Sequence, residues 1–450
     1  MVKLFKVPKN TSKNKVTHAK AAKQLIISSL NHEGVGVTRE HNKVAFVEGA
    51  LPNETVIANV LQTKAKYERL ITTKILTESP YRLTPFCPHF SLCGGCQLQH
   101  LQLGQQLIEK QTAVSQLFKK FAKIVDLNWQ NPIESPALNY RRSARIAVFY
   151  QQQQNKFQLG FRQQGAKKII DIEHCLVLEK CYEAIFSVFR QLLPSLKNGK
   201  AITHLQLCSV NHAFVIVRHI KPLPTVDIEK LTLACQQNNW KLVLEAETGE
   251  FSFIDKKKKS LPSYQLTQQQ LTFSFTFTNF IQVNDNVNQQ MITQALEWLA
   301  LSNQEKVLDL FCGIGNFSLA MAQQAEKVVG IEGVAASVEG ASLNAKSNQI
   351  ENAEFYCQDL TQEMKKSPWY RQNYDVLVLD PSRMGALAIL QQLSLKRFKR
   401  ILYVSCDPVT LARDTQVIIE SGFMLDKISL MNMFPHTKHI ETMALFIKER

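Results

Sequence analysis

From about residue 280 onward, the sequence repeats a unit of one short apolar run followed by a helical pattern. The apolar runs are VLDLF, VVGIE, FYC, YDVLVLD and ILYVS. Short continuous apolar runs are typical of strands buried on both faces, and their alternation with helices is typical of a mostly parallel sheet covered on both sides. The sequence therefore predicts an α/β fold for this part of the chain.

The first of these strands leads into a glycine turn and a helix, in VLDLFCGIGNFSLAMA at 307–322. Ligands of such sheets bind beyond the carboxyl ends of the strands, and Gly313 and Gly315 let the backbone approach a ligand closely. The turn lacks the Gly-Lys-Ser/Thr of a P-loop. Its D-x-F-x-G-x-G-x-F form resembles the S-adenosylmethionine loop of class I methyltransferases. Glu332 ends the next strand, where a carboxylate can accept hydrogen bonds from two ribose hydroxyls, and Asp359 follows the third strand, where it can meet an adenine edge.

A cysteine and two carboxylates are predicted at the same edge of the sheet. Cys406 follows ILYVS, Asp380 is the last residue of YDVLVLD with Arg383 three residues later, and Glu441 follows a loop with two histidines. C5 of uracil is a poor nucleophile toward a sulfonium methyl group, and a thiolate that adds to C6 activates it. A base must then remove the C5 proton so that the thiol can leave. This pattern favours uracil C5 methylation over amino-group methylation, which typically uses an Asn/Asp-Pro-Pro-aromatic loop that is not present here.

The chain is strongly basic. Its 53 Lys and Arg against 38 Asp and Glu give a formal net charge of +15, which favours a polyanionic partner, with nucleic acid before an anionic membrane. The N-terminus has no apolar signal region, and no stretch of about 18 apolar residues occurs, so we expect a cytoplasmic protein without a membrane span. Seven lysines from Lys3 to Lys23 predict a loose basic arm, for which an RNA contact and a solvated tail are equally good interpretations.

Residues 24–78 show apolar/polar alternation broken by Gly, Asn and Pro, which predicts about five short strands and a small OB-like barrel. Lys64, Lys66 and Arg69 surround Tyr67 in this region. Basic side chains next to an aromatic ring suit phosphate contact combined with base stacking. We therefore expect this part of the chain to bind nucleic acid.

Three cysteines lie close together in CPHFSLCGGC at 87–96. In a reducing compartment such spacing favours metal ligands over disulfides. Four thiolates suit an iron–sulfur cluster. They also suit zinc, for which His89, His100 and His174 are further candidate ligands. Spacing alone leaves the two interpretations open.

These motifs together resemble the bacterial RNA uracil-C5 methyltransferases over nearly the whole chain. The strongest blocks are DLFCGIGNFSL, SCDP and FPHTKHIE, while GALPNETV resembles the family's TRAM barrel and FTNFIQVNDNVNQQM a segment beside the cofactor. The resemblance implies three domains. They are an OB-like TRAM barrel at 16–78, a central α+β domain with an iron–sulfur loop at 79–270, and a class I (Rossmann-like) S-adenosylmethionine-dependent methyltransferase domain at 271–450.

The resemblance also implies roles for single residues. Cys406 would be the nucleophile, Glu441 the base that removes the proton, and Arg383 a residue near the target base. The S-adenosylmethionine site would be formed by Gln282, Phe311, Asn316, Glu332, Asp359 and Asp380. Three positions depart from the residues that are usual in the family, namely Asp359, Ser382 and Asp407.

For the cysteine loop, the resemblance implies a fourth ligand far along the chain, Cys175 in IIDIEHCLVL. The implied cofactor is a [4Fe–4S] cluster held by Cys87, Cys93, Cys96 and Cys175. Methyl transfer needs no redox step. We therefore expect the cluster to tie the central region together and to help hold folded RNA.

The function implied by the resemblance is methylation of C5 of one uridine in 23S ribosomal RNA. Transfer RNA or another ribosomal site stays open as the substrate, because the catalytic motifs are shared. The related transfer-RNA enzymes typically lack the barrel and the cysteine loop, which favours the ribosomal target. A different class of function is an RNA-binding ribosome-assembly factor that does not methylate. We expect a monomer, because the partner is a large RNA and the sequence has no obvious oligomerisation stripe.

Overall fold

The structure is a computed structural model that describes residues 22–40, 43–254 and 261–448. Within them the chain forms two compact units. The first runs to Arg82 without His32–Gly34, and the second consists of His32–Gly34 and the chain from Leu83 onward. Apart from its last two residues, the predicted basic arm lies outside the described residues, and so does the predicted start of the barrel at 16–21. The three predicted domain boundaries stay predictions.

The first unit is a six-stranded sheet in the order β1-β5-β6-β4-β3-β2. Its strands are β1 (Lys23–Ile26), β2 (Ser29–Leu30), β3 (Gly36–Glu40), β4 (Lys43–Glu48), β5 (Thr55–Thr63) and β6 (Tyr67–Thr77). All neighbours are antiparallel except β4 and β6. Alternate residues such as Val56 and Ala58 point into the apolar core, which is why alternation in the sequence predicts strands here.

A buried ion pair fastens the end of this unit. The Glu54 side chain is fully buried, and it accepts hydrogen bonds from the backbone N–H of Leu51 (2.8 Å) and from Arg82 Nη2 (2.9 Å). Burial alone would raise the pKa of Glu54, but the hydrogen bonds from Arg82, Leu51 and Ser79 outweigh it and hold that pKa below its usual value. The carboxylate therefore stays ionised inside the unit.

The second unit begins with the cysteine loop and a long helix, α1 (Leu103–Phe121). A central sheet follows, in the order β13-β12-β11-β10-β7-β8-β9. Its elements are β7 (Ser143–Gln151), β8 (Lys156–Arg162), β9 (Ile169–Asp171), α2 (Ile185–Leu192), β10 (Ile202–Ser209), β11 (Ala213–His219), α3 (Thr225–Gln237), β12 (Trp240–Glu245) and β13 (Phe251–Phe253). Only β11 and β12 are parallel among the described strand pairs of this sheet, with α3 as their crossover. The buried residues of α2 and α3 share one apolar core with one face of the sheet.

A hairpin and a helix lead from this sheet to the C-terminal one. The hairpin is formed by β14 (Ser263–Leu266) and β15 (Leu271–Ser274), and the helix is α4 (Asp285–Leu299). Asn284 is the N-cap of α4, and its side chain accepts a hydrogen bond from the backbone N–H of Val287 (3.3 Å). This cap fixes where the chain of residues 279–284 turns into the helix.

The C-terminal sheet has the order β18-β17-β16-β19-β20-β22-β21. Its elements are β16 (Lys306–Leu310), α5 (Ser318–Ala322), β17 (Lys327–Glu332), α6 (Ala335–Ser347), β18 (Ala353–Cys357), β19 (Val376–Leu379), α7 (Leu387–Gln392), β20 (Arg400–Ser405), α8 (Pro408–Glu420), β21 (Phe423–Met431) and β22 (Glu441–Lys448). The first five strands are parallel, and β22 is antiparallel to both β20 and β21. Apolar cores cover both faces. The predicted mostly parallel, doubly covered sheet is confirmed.

The order of the strands reverses between β16 and β19, where connections leave in opposite directions. In sheets of this kind the crevice outside the carboxyl ends of the strands at such a point is the usual ligand site. Over the described part of the chain, no helix is both long enough and apolar enough to cross a membrane.

Candidate active site

The predicted site residues follow the carboxyl ends of neighbouring strands. Phe311 follows β16, Glu332 ends β17, Asp380 follows β19 and Cys406 follows β20. Glu441 begins β22, which runs the other way, and Ser405 pairs with Thr442 across these two strands. The antiparallel strand therefore brings Glu441 next to Cys406 at the same edge of the sheet.

The glycine turn is shaped by three residues with positive φ. Phe311 has a φ of 67°, Gly313 of 55° and Gly315 of 93°. The backbone N–H of Gly313 donates to Glu332 Oε2 (3.3 Å), and the backbone N–H of Val334 donates to Oε1 (2.9 Å). These contacts hold the Glu332 carboxylate at the end of β17, beside the turn, where a ribose could reach it.

Asp309 lies in the candidate site, although the sequence indicates it only as part of the turn motif. It is almost fully buried in β16, and its Oδ2 accepts a hydrogen bond from Ser318 Oγ (2.5 Å). Burial, together with the nearby carboxyls of Asp380 and Glu332, raises the pKa of Asp309 to about 7. The hydrogen bond from Ser318 acts in the opposite direction. The other oxygen, Oδ1, is buried and has no hydrogen-bond partner within the described ranges. A buried polar atom of this kind at the foot of the turn fits a site for a polar ligand.

Asn316 is held in a defined orientation by two neighbours. Tyr264 Oη donates to Asn316 Oδ1 (2.8 Å), and Asn316 Nδ2 donates to Asn288 Oδ1 (2.9 Å). Tyr264 belongs to the hairpin and Asn288 to α4. The amide of Asn316 is therefore positioned by elements outside the sheet.

Arg142 is a second residue that the sequence did not single out. Its side chain is 2 % exposed. Nε donates to the carbonyl oxygen of Gln282 (2.7 Å), Nη1 donates to Asp285 Oδ1 (2.5 Å), and the guanidinium lies 4.9 Å from the centre of the Tyr264 ring. Because Tyr264 in turn holds Asn316, one buried cation joins the segments that carry Gln282 and Asn316.

Asp359 differs from the other predicted cofactor residues. Its carboxylate is exposed and accepts hydrogen bonds from the backbone N–H (2.9 Å) and the hydroxyl (2.7 Å) of Thr361. These hydrogen bonds from Thr361 lower the pKa of Asp359. The side chain thus closes its own turn after β18, and its predicted role toward an adenine stays a prediction.

Cys406, Glu441 and Asp380 form a cluster of groups with raised pKa values. Burial raises the pKa of Cys406 to about 12, and the carboxyls of Glu441 and Asp380 add to the rise while Arg383 opposes it. Burial likewise raises the pKa of Glu441 to about 8, with Asp380 adding to it. The pKa of Asp380 is raised by burial to about 7. Strongly shifted groups that converge in a crevice are typical of active sites.

Lys110 of α1 supplies a buried positive charge to this cluster. It is only 6 % exposed, and burial lowers its pKa to about 8, while the carboxyl of Glu441 works in the opposite direction. Lys110 and Arg383 both lower the pKa of Glu441 against the effect of burial. Lys110 could not be predicted as a site residue from the sequence, because a lysine in an amphipathic helix usually faces solvent.

The same face of α1 fixes the loop that leads into Glu441. Gln106 lies one helical turn before Lys110, and its Oε1 accepts a hydrogen bond from the backbone N–H of His436 (3.0 Å). His436 has a φ of 64°. Arg383 reaches the loop from the other side, with its Nη2 3.3 Å from His439 Nδ1. The loop is therefore held between α1 and the segment after β19.

A cavity of about 1000 Å³ connects this edge of the sheet with the cysteine loop. Arg383 and His439 line it at one end, and its lining includes Arg141, Arg145 and Arg162. Such a concentration of guanidinium groups suits an anionic ligand.

All four predicted cluster ligands line the same cavity, namely Cys87, Cys93, Cys96 and Cys175. Burial raises the pKa of Cys96 to about 12 and that of Cys175 to about 11, and the neighbouring cysteines add to both. All ten cysteines are free thiols. In the described ranges, no three His, Cys, Asp or Glu side chains converge closely enough to hold a single metal ion. The donor set itself, four thiols around one space, has the chemistry of an iron–sulfur ligand set.

The sequence model of the tRNA (uracil-5-)-methyltransferase family matches residues 102–449. A 23S rRNA (uracil(1939)-C(5))-methyltransferase RlmD of Pseudoalteromonas translucida is 50% identical over 448 residues, with 99% of each chain covered. The enzyme of the same name from Vibrio cholerae is 43% identical, with 94% of this chain and 95% of the relative covered.

Among solved structures, the Pyrococcus abyssi tRNA (uracil-54, C5)-methyltransferase in complex with S-adenosyl-L-homocysteine has a TM-score of 0.70 at 21% identity and covers 94% of this chain and 100% of that one. This similarity is one of fold, and it agrees with a Rossmann-like methyltransferase. The match to the family model and the full-length relatives together show that this chain belongs to the RNA uracil-C5 methyltransferases, enzymes that use S-adenosylmethionine to methylate uracil in RNA.

Proposed function

We propose that this enzyme methylates C5 of one uridine in 23S ribosomal RNA, with Cys406 as the nucleophile and Glu441 as the base. The observation that carries the mechanism is the pairing of β20 with β22, which sets a thiol and a carboxyl side by side at the ligand edge of the sheet. The substrate is supported by the full-length relatives, whose names specify 23S rRNA.

In the proposed reaction, Cys406 Sγ gives its proton to solvent water, and the thiolate adds to C6 of uracil, which leaves electron density on C5. S-adenosylmethionine supplies an electrophilic methyl group when it is bound. Once C5 carries the methyl group, Glu441 accepts the proton that C5 still holds, and the bond between C6 and Cys406 Sγ breaks to return the thiolate.

The charges around Cys406, Glu441 and Asp380 support Cys406 as the nucleophile and Glu441 as the base. A thiol with a pKa near 12 needs help to ionise, and the guanidinium of Arg383 acts in that direction. At neutral pH a carboxyl with the pKa of Glu441, about 8, is mostly protonated, and one with the pKa of Asp380, about 7, is about half protonated, so the two groups oppose a thiolate less than two full carboxylates would. We propose that Arg383 also lies against the target base.

The chain's own residues at the switch point fit S-adenosylmethionine. The Glu332 carboxylate stands beside the glycine turn, and buried Asp309 Oδ1 has no partner in the described part of the chain. We propose that the cofactor is held by Gln282, Phe311, Asn316, Glu332, Asp359 and Asp380.

The remaining predicted features are part of the same proposal. We propose that the six-stranded first unit is the TRAM barrel and contacts RNA, since Lys64, Lys66 and Arg69 are exposed beside Tyr67. We propose a cytoplasmic, monomeric enzyme. Transfer RNA stays the second candidate substrate, because the matching family model carries that description.

We also propose a [4Fe–4S] cluster on the four cysteines that line the cavity, with a structural role. Protein purified without oxygen should then contain about four iron and four sulfide ions per chain. Cys93→Ser should lower both contents, whereas Cys235→Ser, which removes a buried cysteine elsewhere in the central region, should leave them unchanged. One zinc ion per chain in place of iron would contradict the cluster.

The function is tested by methyl transfer from labelled S-adenosylmethionine to total RNA of cells that lack this gene. We expect 5-methyluridine at one site of 23S rRNA. If 5-methyluridine appears in transfer RNA instead, the proposed mechanism stands and the substrate is transfer RNA. Absence of product with cofactor bound would favour the ribosome-assembly factor.

The nucleophile is tested with the same RNA carrying 5-fluorouridine at the methylated position. Fluorine cannot leave as a proton does, so the wild-type enzyme should stay covalently attached to the RNA. Cys406→Ala should form no adduct. Cys357→Ala, at the exposed cysteine that ends β18, should form as much adduct as the wild type. An adduct with Cys406→Ala would rule out Cys406 as the nucleophile.

The base is tested by the pH dependence of tritium release from RNA labelled at uridine C5. A carboxyl with a pKa of about 8 accepts a proton only above that pH, so release should increase as the pH rises through about 8. Lys110→Met removes a neighbouring positive charge and should shift the pH at which tritium release rises to a higher value. Lys110→Arg keeps the charge and should return that pH to the wild-type value.

Two controls accompany this measurement. Lys119→Met, at an exposed lysine of the same helix, should leave the pH at which tritium release rises unchanged. Glu441→Gln should methylate RNA but retain it as a covalent complex. Tritium release by Glu441→Gln at the wild-type rate would show that another group is the base.

The role of Arg142 in holding the cofactor segment is tested by separating KM from kcat. Arg142→Met leaves the Gln282 carbonyl and Asp285 without their donor, and a loss of about 1.5 to 3 kcal/mol per charged hydrogen bond corresponds to at least tenfold weaker cofactor binding. We expect the KM for S-adenosylmethionine to rise while kcat at saturating cofactor changes little. The matched control is Arg190→Met. Arg190 of α2 makes the same kinds of hydrogen bond, to the Asp171 carboxylate (2.6 Å) and to the Ile172 carbonyl oxygen (2.9 Å). An equal rise of KM in both variants would point to a general loss of stability.

A further inference from the structure

The central sheet has one face that is only partly covered. Its other face packs against α2 and α3. On the partly covered face, Phe214, Ile216 and Val243 belong to the same apolar core as Phe277, whose ring centre lies 5.3 Å from that of Phe214. This half of the face is buried beneath the residues that follow β15.

The uncovered half of the same face is basic. Pairing across the strands places Arg145 beside Gln206, and His204 between Ala147 and Arg218. Because successive side chains of a strand alternate between faces, the face also carries Phe149 on β7 and Arg162 on β8. We call this set the basic strip, which consists of Arg145, Phe149, Arg162, His204 and Arg218.

Two of the three arginines of the basic strip have no ion-pair partner within the described residues. Arg218 pairs with Glu245 at 2.6 Å, whereas Arg145 and Arg162 form no ion pair with any residue that the structure describes. Burial lowers the pKa of His204 to about 4, and Arg145, Arg218 and Arg162 lower it further. The histidine is therefore neutral at pH 7, and the strip presents guanidinium groups to solvent.

An exposed aromatic ring accompanies these charges. Phe149 is 53% exposed, and it lies opposite Gln158 in the neighbouring strand. Between Phe149 and Arg145 along β7, Ala147 is the residue on this face, and it pairs with Gly160. A sheet face with an exposed ring and guanidinium groups is an arrangement that binds unstacked nucleotides.

The basic strip is continuous with the cavity that Arg383 and His439 line. Arg145 and Arg162 belong to the strip and also line the cavity that ends at Arg383. An RNA strand with one nucleotide in this cavity could therefore continue along the sheet and stay in contact with the positively charged surface.

We propose that the basic strip binds a segment of the substrate RNA outside the methylated nucleotide, with phosphates on the arginines and one base stacked on Phe149. This inference rests on the proposed function only in taking RNA as the substrate. It adds a second contact region that selects long or folded RNA over a minimal target.

The test compares two RNA substrates that share the mapped uridine, a minimal hairpin and a longer fragment of 23S rRNA. Phe149→Ala removes one stacking contact and should raise the KM for the longer fragment by about tenfold. Its KM and kcat for the minimal hairpin should equal those of the wild type. Phe149→Trp should restore tight use of the longer fragment, because it restores a stacking surface.

The charges are tested by the salt dependence of binding to the longer fragment. Arg162→Gln should reduce the slope of log K against log salt by about one, because one phosphate contact is lost. Phe149→Ala should weaken binding without changing that slope. The matched controls are Leu233→Ala and Lys197→Gln, since Leu233 is 57% exposed on α3, behind the opposite face, and Lys197 is exposed near it.

The outcomes separate this inference from the proposed function. If the wild type methylates both RNAs and Phe149→Ala uses the longer fragment equally well, the basic strip does not bind substrate. If the controls weaken binding as much as Phe149→Ala, the effect is not local to the strip, and the inference is again wrong. If the wild type methylates neither RNA, the proposed function itself fails.

Discussion

The guanidinium of Arg142 is the contact on which the proposed cofactor half of the site depends. It starts from the central sheet, donates to the Gln282 carbonyl and to Asp285, and lies on the ring of Tyr264, whose hydroxyl fixes Asn316. The planar fork of arginine can contact a carbonyl, a carboxylate and a ring at once, although the buried Nη2 of Arg142 has no hydrogen-bond partner within the described residues. Together with the direct hydrogen bond between Asn316 and Asn288, this guanidinium joins the start of α4 to the glycine turn.

The reacting half depends on the direction of one strand. Because β22 runs against β20, its first residue, Glu441, lies beside the end of the strand that carries Cys406. Three carboxyl groups then crowd this edge, and their burial raises their pKa values. Lys110 of α1 and Arg383 supply the opposing positive charge. A helix from the start of the second unit thereby sets the charge state of a group at the end of the chain.

The central sheet connects these two halves to the proposed RNA-binding surface. One face builds a core with α2 and α3, and the other changes along its length from apolar and covered to basic and exposed. The same strand, β7, carries Arg145 toward the cavity and Phe149 toward solvent. The sheet is therefore both the support of the cofactor segment, through Arg142, and a surface with the chemistry of an RNA contact.

The sequence by itself determined the parallel sheet, the glycine turn and the cysteine after β20, because these features are written in local periodicity and in short motifs. It did not reveal Lys110, Arg142 or Phe149, since nothing in a local pattern tells which polar residue is buried or which apolar one is exposed. Gln106 and His436 are in contact although 330 residues separate them. Only the tertiary structure decides such pairs, because they depend on how the helix after the cysteine loop packs against the last loop of the sheet.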